Sequence, residues 1–188
     1  MENFLAEVKK LAYSEIEKTG IPARMQADFS METGKRLAKE LGANVDIVEV
    51  GTLLMDCMLG QAVKENRQSE HVKISLEKTN ELLSQSSLSE EEKENIRHCI
   101  SEHHGVSKFY SLESEICCNA DCYKFTSIKG FAITLRYTRD MPFLNLIKLL
   151  NDKVEEKWNA LSLGVVKKEL TPEHQTLINM LKGLSEEK

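Results

Sequence analysis

Residues 50–59 read VGTLLMDCML, and this stretch decides the fold that we expect. Nearly every side chain in it is apolar, so a helix formed here has no polar face, which is typical of a helix inside the core. Asp56 lies within this run. Burying an ionised carboxylate without a partner costs several kcal/mol. We therefore expect a cation, a metal ion or several hydrogen-bond donors beside Asp56.

A second carboxylate lies in a similar setting. Residues 116–122 read ICCNADC, and Asp121 is enclosed by small apolar side chains. Two carboxylates in core segments repel each other if they are close and unpaired. A cation shared between Asp56 and Asp121 would satisfy both groups at once.

The composition limits the class of protein. The chain has 188 residues, of which 41% are hydrophobic, and a net charge of -5, which suits one domain with a sizeable core. We find no basic cluster of the kind that binds a nucleic acid duplex. The first residues do not resemble a signal peptide, and no apolar run approaches the ~18 residues of a membrane span. We expect a cytoplasmic protein without a membrane association, with a homo-oligomer as an open option.

The five cysteines fit the same interpretation. An odd count in apolar helical segments is typical of reduced thiols in a cytoplasm. Cys118 and Cys122 are one helical turn apart, so a zinc or redox site there is conceivable. Small buried packing residues are the better interpretation.

Helical periodicity predicts an all-α fold without a sheet of importance. We expect a third helix over Val45–Leu59, a fifth over Ser89–His104 and a last one capped by Thr171 with Pro172 at its first position. We divide the chain into a helical domain over 1–140, with its core at 22–126, and C-terminal helices over 141–188 that pack on the same domain.

Two histidines have placements that suit ligands. Helical spacing from Ile96 and Ile100 puts His103 on the inward face of the fifth helix, and His71 opens the fourth. A lone inward histidine more often packs against a backbone carbonyl, and a buried Asp often caps a helix or pairs with Arg. Together, however, two acids and two histidines form a mixed N/O set that suits Mn, Fe or Zn.

The order of these residues resembles the HD-domain superfamily of metal-dependent phosphohydrolases. The resemblance covers residues 26–125, about 100 of the 188. It rests on four segments of the sequence, LAKELGANVDIVEVGTLLMDC, EHVKISLEKTNELL, LSEEEKENIRHCISEHHG and LESEICCNADCYKF. It implies an HD-domain-like helical bundle with a helical C-terminal extension.

The resemblance also implies a set of site residues. Asp56 matches the Asp of the His-Asp pair and Asp121 the distal Asp, so both would be catalytic and metal-binding. His71 and His103 match the extra histidines of multi-metal members, with His104 as the alternative to His103. The implied cofactor is a divalent metal (Mn, Fe, Zn or Mg), as one ion or none.

Two positions depart from the family pattern. Met55 stands where the pair has its His, and Gln26 falls at the position of the first His. A Lys that often follows the pair is also absent from residues 57–61. The first metal site thus retains only its two carboxylates, whereas Asp56 and the extra histidines could still hold one ion.

The function implied is hydrolysis of a nucleotide or other small phosphate ester, weakened by the two replaced histidines. Arg97, Arg136 and Arg139 are candidates for contacting the phosphate. One alternative is a non-catalytic HD-fold domain that binds a ligand or a regulatory partner. A plain helical interaction module is a third, although it does not explain the buried acids.

Overall fold

The computed structural model describes residues 1–185, which form ten α-helices and one short 3-10 helix over Gln68–Glu70, with no strand among them. The helices are α1 Glu2–Thr19, α2 Arg24–Leu41, α3 Val45–Leu54, α4 Leu59–Lys64, α5 His71–Ser84, α6 Glu90–Ser101, α7 Leu112–Thr126, α8 Ile128–Tyr137, α9 Phe143–Ala160 and α10 Gly164–Ser185. The all-α prediction is confirmed. Within residues 1–185, no helix combines the length and apolar character that crossing a membrane requires.

Helices α3 and α7 form the centre of the structure. Every residue from Ile47 to Leu54 is buried, and eleven of the fifteen residues of α7 are buried. Helix α3 packs against α1, α2, α6 and α7, while α7 also contacts α8, α9 and α10. The two runs that carry Asp56 and Asp121 therefore lie side by side in the core.

The predicted third helix is shorter than expected. It ends at Leu54, and residues 55–58 form a turn before α4 begins. In this turn the amide of Met58 donates to the Ser75 hydroxyl at 3.2 Å, and the amide of Leu59 donates to the Asp56 carbonyl at 3.0 Å. Asp56 thus lies just beyond the end of α3 rather than within a helix.

The end of the fifth predicted helix also differs. The Ser89–Glu92 capping box is confirmed, but α6 ends at Ser101 and Gly105 takes a positive φ of 94°. His103 and His104 therefore lie in the turn after α6. Because helical spacing no longer applies there, both imidazoles face the same side, with ring centroids 4.1 Å apart.

The prediction that Thr171 caps a last helix is wrong. Helix α10 begins at Gly164, and Pro172 lies inside it. The buried residues of α10 lie on both sides of Pro172 and form one apolar stripe, made of Val166, Leu170, Leu177 and Leu181. Burying this stripe outweighs the roughly 3 kcal/mol cost of an internal proline.

Helices α8, α9 and α10 share an apolar cluster that includes Phe131, Leu150 and Leu177. Helices α9 and α10 also pack on α7. The division at residue 140 stays a prediction, and residues 186–188 of the proposed C-terminal segment lie outside the described residues.

All five cysteines are buried and unpaired with one another. Two of them pack directly against the backbone of Gly51, which has no side chain. A Cβ atom at Gly51 would lie 2.6 Å from Cys99 Cβ and 2.8 Å from Cys117 Sγ. Helices α3, α6 and α7 meet at this point.

We expect Gly51→Ala to lower the free energy of unfolding by about 1–3 kcal/mol, because the added methyl overlaps two side chains in a packed core. Gly183→Ala is the control, since Gly183 is exposed in α10 and a Cβ there meets nothing within 4 Å. That variant should gain up to about 1 kcal/mol. Urea unfolding measures both, and equal stability of the two variants would contradict the close packing at Gly51.

Candidate metal centre

An open cavity of about 220 Å³ lies beside the turn that follows α3. The start of α5, the turn after α6 and the inward faces of α7 and α9 border it. It is lined by Gln26, Asp56, Leu59, Gln68, His71, His104, Asp121, Lys124, Phe125, Thr134, Thr138, Leu149, Lys153 and Lys157. The structure thus brings together the acids and histidines that the sequence singled out.

The two oxygens of Asp56 face different partners. Oδ1 lies 3.4 Å from His71 Nε2 and 3.5 Å from His103 Nε2. Oδ2 accepts a hydrogen bond from Lys124 Nζ at 2.8 Å. Burial alone would raise the pKa of Asp56, but the charge of Lys124 holds that pKa well below its usual range. Asp56 is therefore ionised and links the histidines to the lysine.

Backbone carbonyls orient both histidines. His71 Nδ1 lies 2.8 Å from the Gln68 carbonyl and His103 Nδ1 lies 2.7 Å from the Ile100 carbonyl. A carbonyl oxygen only accepts, so each Nδ1 carries a proton, and in a neutral ring the Nε2 lone pair would be the atom offered to an ion. Burial opposes the charge of His71, but Asp56 raises the pKa of His71 above its ordinary value. His103 is fully buried, and its Nε2 has no hydrogen-bond partner among the described residues. This tautomer is the one in which metal-binding histidines are usually held.

His104 is held in the opposite tautomer. Its Nδ1 lies 2.9 Å from Lys157 Nζ, an ammonium that can only donate, so the proton of the neutral ring is on Nε2. That Nε2 lies 3.1 Å from His71 Nε2. Partial burial, together with the charge of Lys157, lowers the pKa of His104 to about 3. His104 is therefore neutral and donates towards His71.

Two buried lysines complete the site. Lys124 Nζ lies 2.5 Å from Asp121 Oδ1, while Lys157 Nζ lies 2.7 Å from Asp121 Oδ2. Burial opposes the charge of both lysines, but Asp121 raises the pKa of each above its ordinary value. The same two ammonium groups hold the pKa of Asp121 below its usual range. Lys124 thus forms an ion bridge between Asp56 and Asp121.

Our sequence reasoning missed these lysines, although a signal was present. Lys157 continues the buried stripe of α9 through Leu150 and Val154, at helical spacings of four and three. Lys124 follows Asp121 by three residues on the same face of α7. A lysine on the apolar stripe of a helix indicates a buried carboxylate partner.

Other predicted residues lie elsewhere. The pocket lining does not include Arg97, which pairs with Glu94 and Asn80, nor Arg136 and Arg139, which border a separate surface hollow. The cations that line the cavity are lysines, Lys124, Lys153 and Lys157.

Gln26 and Met55 do not replace the missing histidines as ligands. Gln26 Oε1 accepts from the Ala23 amide at 3.2 Å, and its Nε2 donates to Thr134 Oγ1 at 3.0 Å. Gln26 therefore ties the start of α2 to α8. The side chain of Met55 belongs to the core, with 1% exposure.

No family model matches this sequence, and no curated protein matches it either. Three solved structures do match the fold. A protein named as a predicted HD superfamily hydrolase, from an uncultured Thermotogales bacterium, has a TM-score of 0.69 at 13% identity and covers 95% of this chain and 89% of its own. YpgQ of Bacillus subtilis has a TM-score of 0.68 at 13% identity, covering 97% and 94%. A Lactobacillus plantarum protein has a TM-score of 0.66 at 16% identity, covering 97% and 95%.

The chain therefore has the HD-like helical fold, which confirms the resemblance at the level of the fold. The histidine cluster is compatible with a divalent metal, since the ligand atoms of His71, His103 and His104 lie within 4.8 Å of one another. Asp56 Oδ1 and the lone pairs of His71 and His103 form an N/O set that fits such an ion. The pair of carboxylates does not fit a second ion, because Lys124 lies between them.

We expect His104→Gln to reduce the loss of stability that the metal-free protein shows between pH 6.5 and about 5. The native pKa of His104 is about 3, whereas an unfolded histidine titrates near 6.5. In this window the unfolded chain binds more protons, so the stabilisation present above pH 6.5 is lost as the pH falls. Urea unfolding in a chelator at both pH values measures the difference.

Asp56 and Asp121 contribute to that loss only at lower pH, because an unfolded Asp titrates near 3.9. An unchanged pH dependence in His104→Gln would show that the pKa of His104 is not lowered beside Lys157.

Proposed function

We propose that this protein is a metal-dependent phosphohydrolase that uses one divalent ion and acts slowly on a small phosphate ester, such as a nucleotide. One observation carries the proposal. The Nε2 atoms of His71 and His103 converge on Asp56 Oδ1, and the buried Nε2 of His103 makes no hydrogen bond in the described structure, with Asp56 Oδ1 3.5 Å away. An unsatisfied buried nitrogen is costly unless a ligand completes it.

Asp56, His71 and His103 would hold the ion. When bound, such an ion polarises a phosphoryl oxygen and lowers the pKa of a coordinated water. Three protein ligands leave positions open for water and substrate, which a hydrolytic site needs. His104 lies at the rim of this set, and Lys157 fixes its tautomer so that its Nε2 proton points inwards.

The rest of the pocket suits a small anionic ligand. Lys153 lines the cavity, and its Nζ pairs with Glu156 Oε2 at 2.6 Å. Both side chains are partly exposed, so another anion can compete for this ion pair. A phosphate could take the place of that carboxylate. Leu59, Phe125 and Leu149 supply an apolar wall for the remainder of the ligand. The volume of about 220 Å³ favours a compact substrate.

The same geometry explains why turnover would be slow. Each oxygen of Asp121 already has an ammonium partner, and the low pKa of Asp121 makes it a weak proton acceptor. A two-metal clamp, which stabilises both the attacking and the leaving oxygen, requires a second ion. With one ion and no unpaired carboxylate, the site would provide only part of the stabilisation of the attacking and leaving oxygens.

A second candidate is a non-catalytic ligand-binding domain, and the lysines favour it. Lys124 and Lys157 neutralise both carboxylates without any metal. On this reading the pocket binds a phosphate-bearing ligand through its lysines, and the histidines only complete the packing. Elemental analysis of the purified protein distinguishes the candidates, because only the first requires a bound transition metal.

We expect His103→Ala to lose the bound ion, lowering Mn²⁺ affinity by roughly 10- to 100-fold or more, since it removes one of three protein ligands. His98→Ala is the matched control. His98 lies on α6, stacks on Tyr110 and pairs with Glu94 and Glu102, outside the pocket. Calorimetric titration with Mn²⁺ measures both variants, and equal affinities would rule out a metal at the histidines.

We expect the Mn²⁺-loaded protein to hydrolyse a generic phosphate ester well below the ~10 s⁻¹ typical of enzymes. A chelator or His103→Ala should abolish this turnover, because both remove the ion. Metal-independent binding of phosphate without turnover would instead support the non-catalytic domain.

A further inference from the structure

We propose that the side chain of Lys124 takes the place of a divalent cation between Asp56 and Asp121, and so restricts the chain to a single metal. The inference rests on the proposed function for the location of that one ion, at His71 and His103. The exclusion of an ion from the carboxylate pair does not depend on the proposed function, because it rests on the position of Lys124.

The contacts of Lys124 are those of a bridging cation. Its Nζ lies 2.8 Å from Asp56 Oδ2 and 2.5 Å from Asp121 Oδ1, and its side chain is only 8% exposed. Two buried carboxylates that both contact one ammonium group are close enough to repel each other if that positive charge is absent. A divalent ion bridging the same two oxygens would have to occupy the position of the ammonium.

The charge balance also disfavours an ion between the two carboxylates. Asp56 and Asp121 contribute two negative charges, and Lys124 and Lys157 contribute two positive ones. Adding a divalent ion would leave a net positive charge of two in a largely buried cluster, beside two ammonium groups. Removing Lys124 leaves a net negative charge of one, together with an opening to the cavity through which water can reach the pair.

The histidine side differs in its contacts rather than in its charge balance, because Asp56 Oδ1 faces imidazole nitrogens there while Oδ2 takes the ammonium group. Asp56 offers Oδ1 to His71 and His103 while Oδ2 binds Lys124, so one carboxylate serves an ion on one side and the lysine on the other. It follows that restoring histidines at positions 26 and 55 would not create a second site while Lys124 is present.

The test compares Mn²⁺ binding by the full chain and three variants. Lys124→Ala should bind one more ion per chain than the unmodified protein, measured by elemental analysis after dialysis and by calorimetry. Lys124→Ala combined with Asp121→Asn should bind no additional ion, since one carboxylate of the pair is gone. Lys78→Ala is the control for removing a lysine outside the pocket, since Lys78 pairs with Glu81 on α5, and should match the unmodified protein.

Thermal unfolding gives a second readout. At 100-fold excess over its Kd, Mn²⁺ should raise the midpoint of Lys124→Ala by roughly 5–10 °C relative to the same variant in chelator, beyond any shift of the unmodified protein. If Lys124→Ala does not fold in chelator, refolding with Mn²⁺ should restore its circular dichroism and midpoint. An equal stoichiometry and no added thermal shift would overturn the inference, and so would failure of Mn²⁺ to rescue an unfolded variant.

The two proposals fail in different ways. If the unmodified protein binds no Mn²⁺ but Lys124→Ala binds one ion, the role of Lys124 stands and the proposed function fails. If the unmodified protein binds one ion and Lys124→Ala binds no additional ion, the proposed single-metal site stands and the role of Lys124 fails. If His103→Ala keeps the ion of the unmodified protein, the ion lies at the carboxylates and Lys124 does not exclude it.

Discussion

The ion bridge from Asp56 through Lys124 to Asp121 is the interaction on which the rest of the site depends. Removing one partner from such a buried network typically costs about 3–5 kcal/mol, because it leaves an uncompensated charge in the interior. The bridge joins the turn after α3 to α7, and Lys157 extends it to α9. The site is therefore held by three separate parts of the chain, and its geometry cannot form before they pack.

The fold supports this network through where its helices end. Because α3 stops at Leu54, Asp56 lies in a turn from which its two oxygens reach opposite directions. Because α6 stops at Ser101, His104 reaches the cavity and the buried His103 reaches Asp56 behind it. Side chains in the middle of a helix are limited to one face, whereas these turns direct three ligand-type groups to one point.

Much of the fold and part of the site could be predicted from the sequence. The apolar run before Asp56 indicated a core helix, and the burial of Asp56 required a partner, with a cation among the options. What the sequence could not supply was the pairing of Asp56 with that cation, because Lys124 lies 68 residues further along the chain. Nor could periodicity place His104, since the end of a helix depends on tertiary packing. The role of Gln26 could not be predicted either, because its hydrogen-bond partner Thr134 is 108 residues away in the sequence.

Replacing a metal ion by a lysine also changes how folding relates to the ion. Where a metal is the only cation between buried carboxylates, its binding free energy contributes to folding, and the metal-free chain is destabilised. Lys124 is covalently tethered three residues from Asp121, so its local concentration does not depend on the supply of any ion. The core acids of this chain are neutralised as soon as α7 packs against α3. Only the histidine side, where His103 is oriented but unpaired, remains for an exchangeable ion. Under the proposed function, stability and metal loading are thereby separated within one pocket: the lysines would maintain the first, and the histidines would provide for the second.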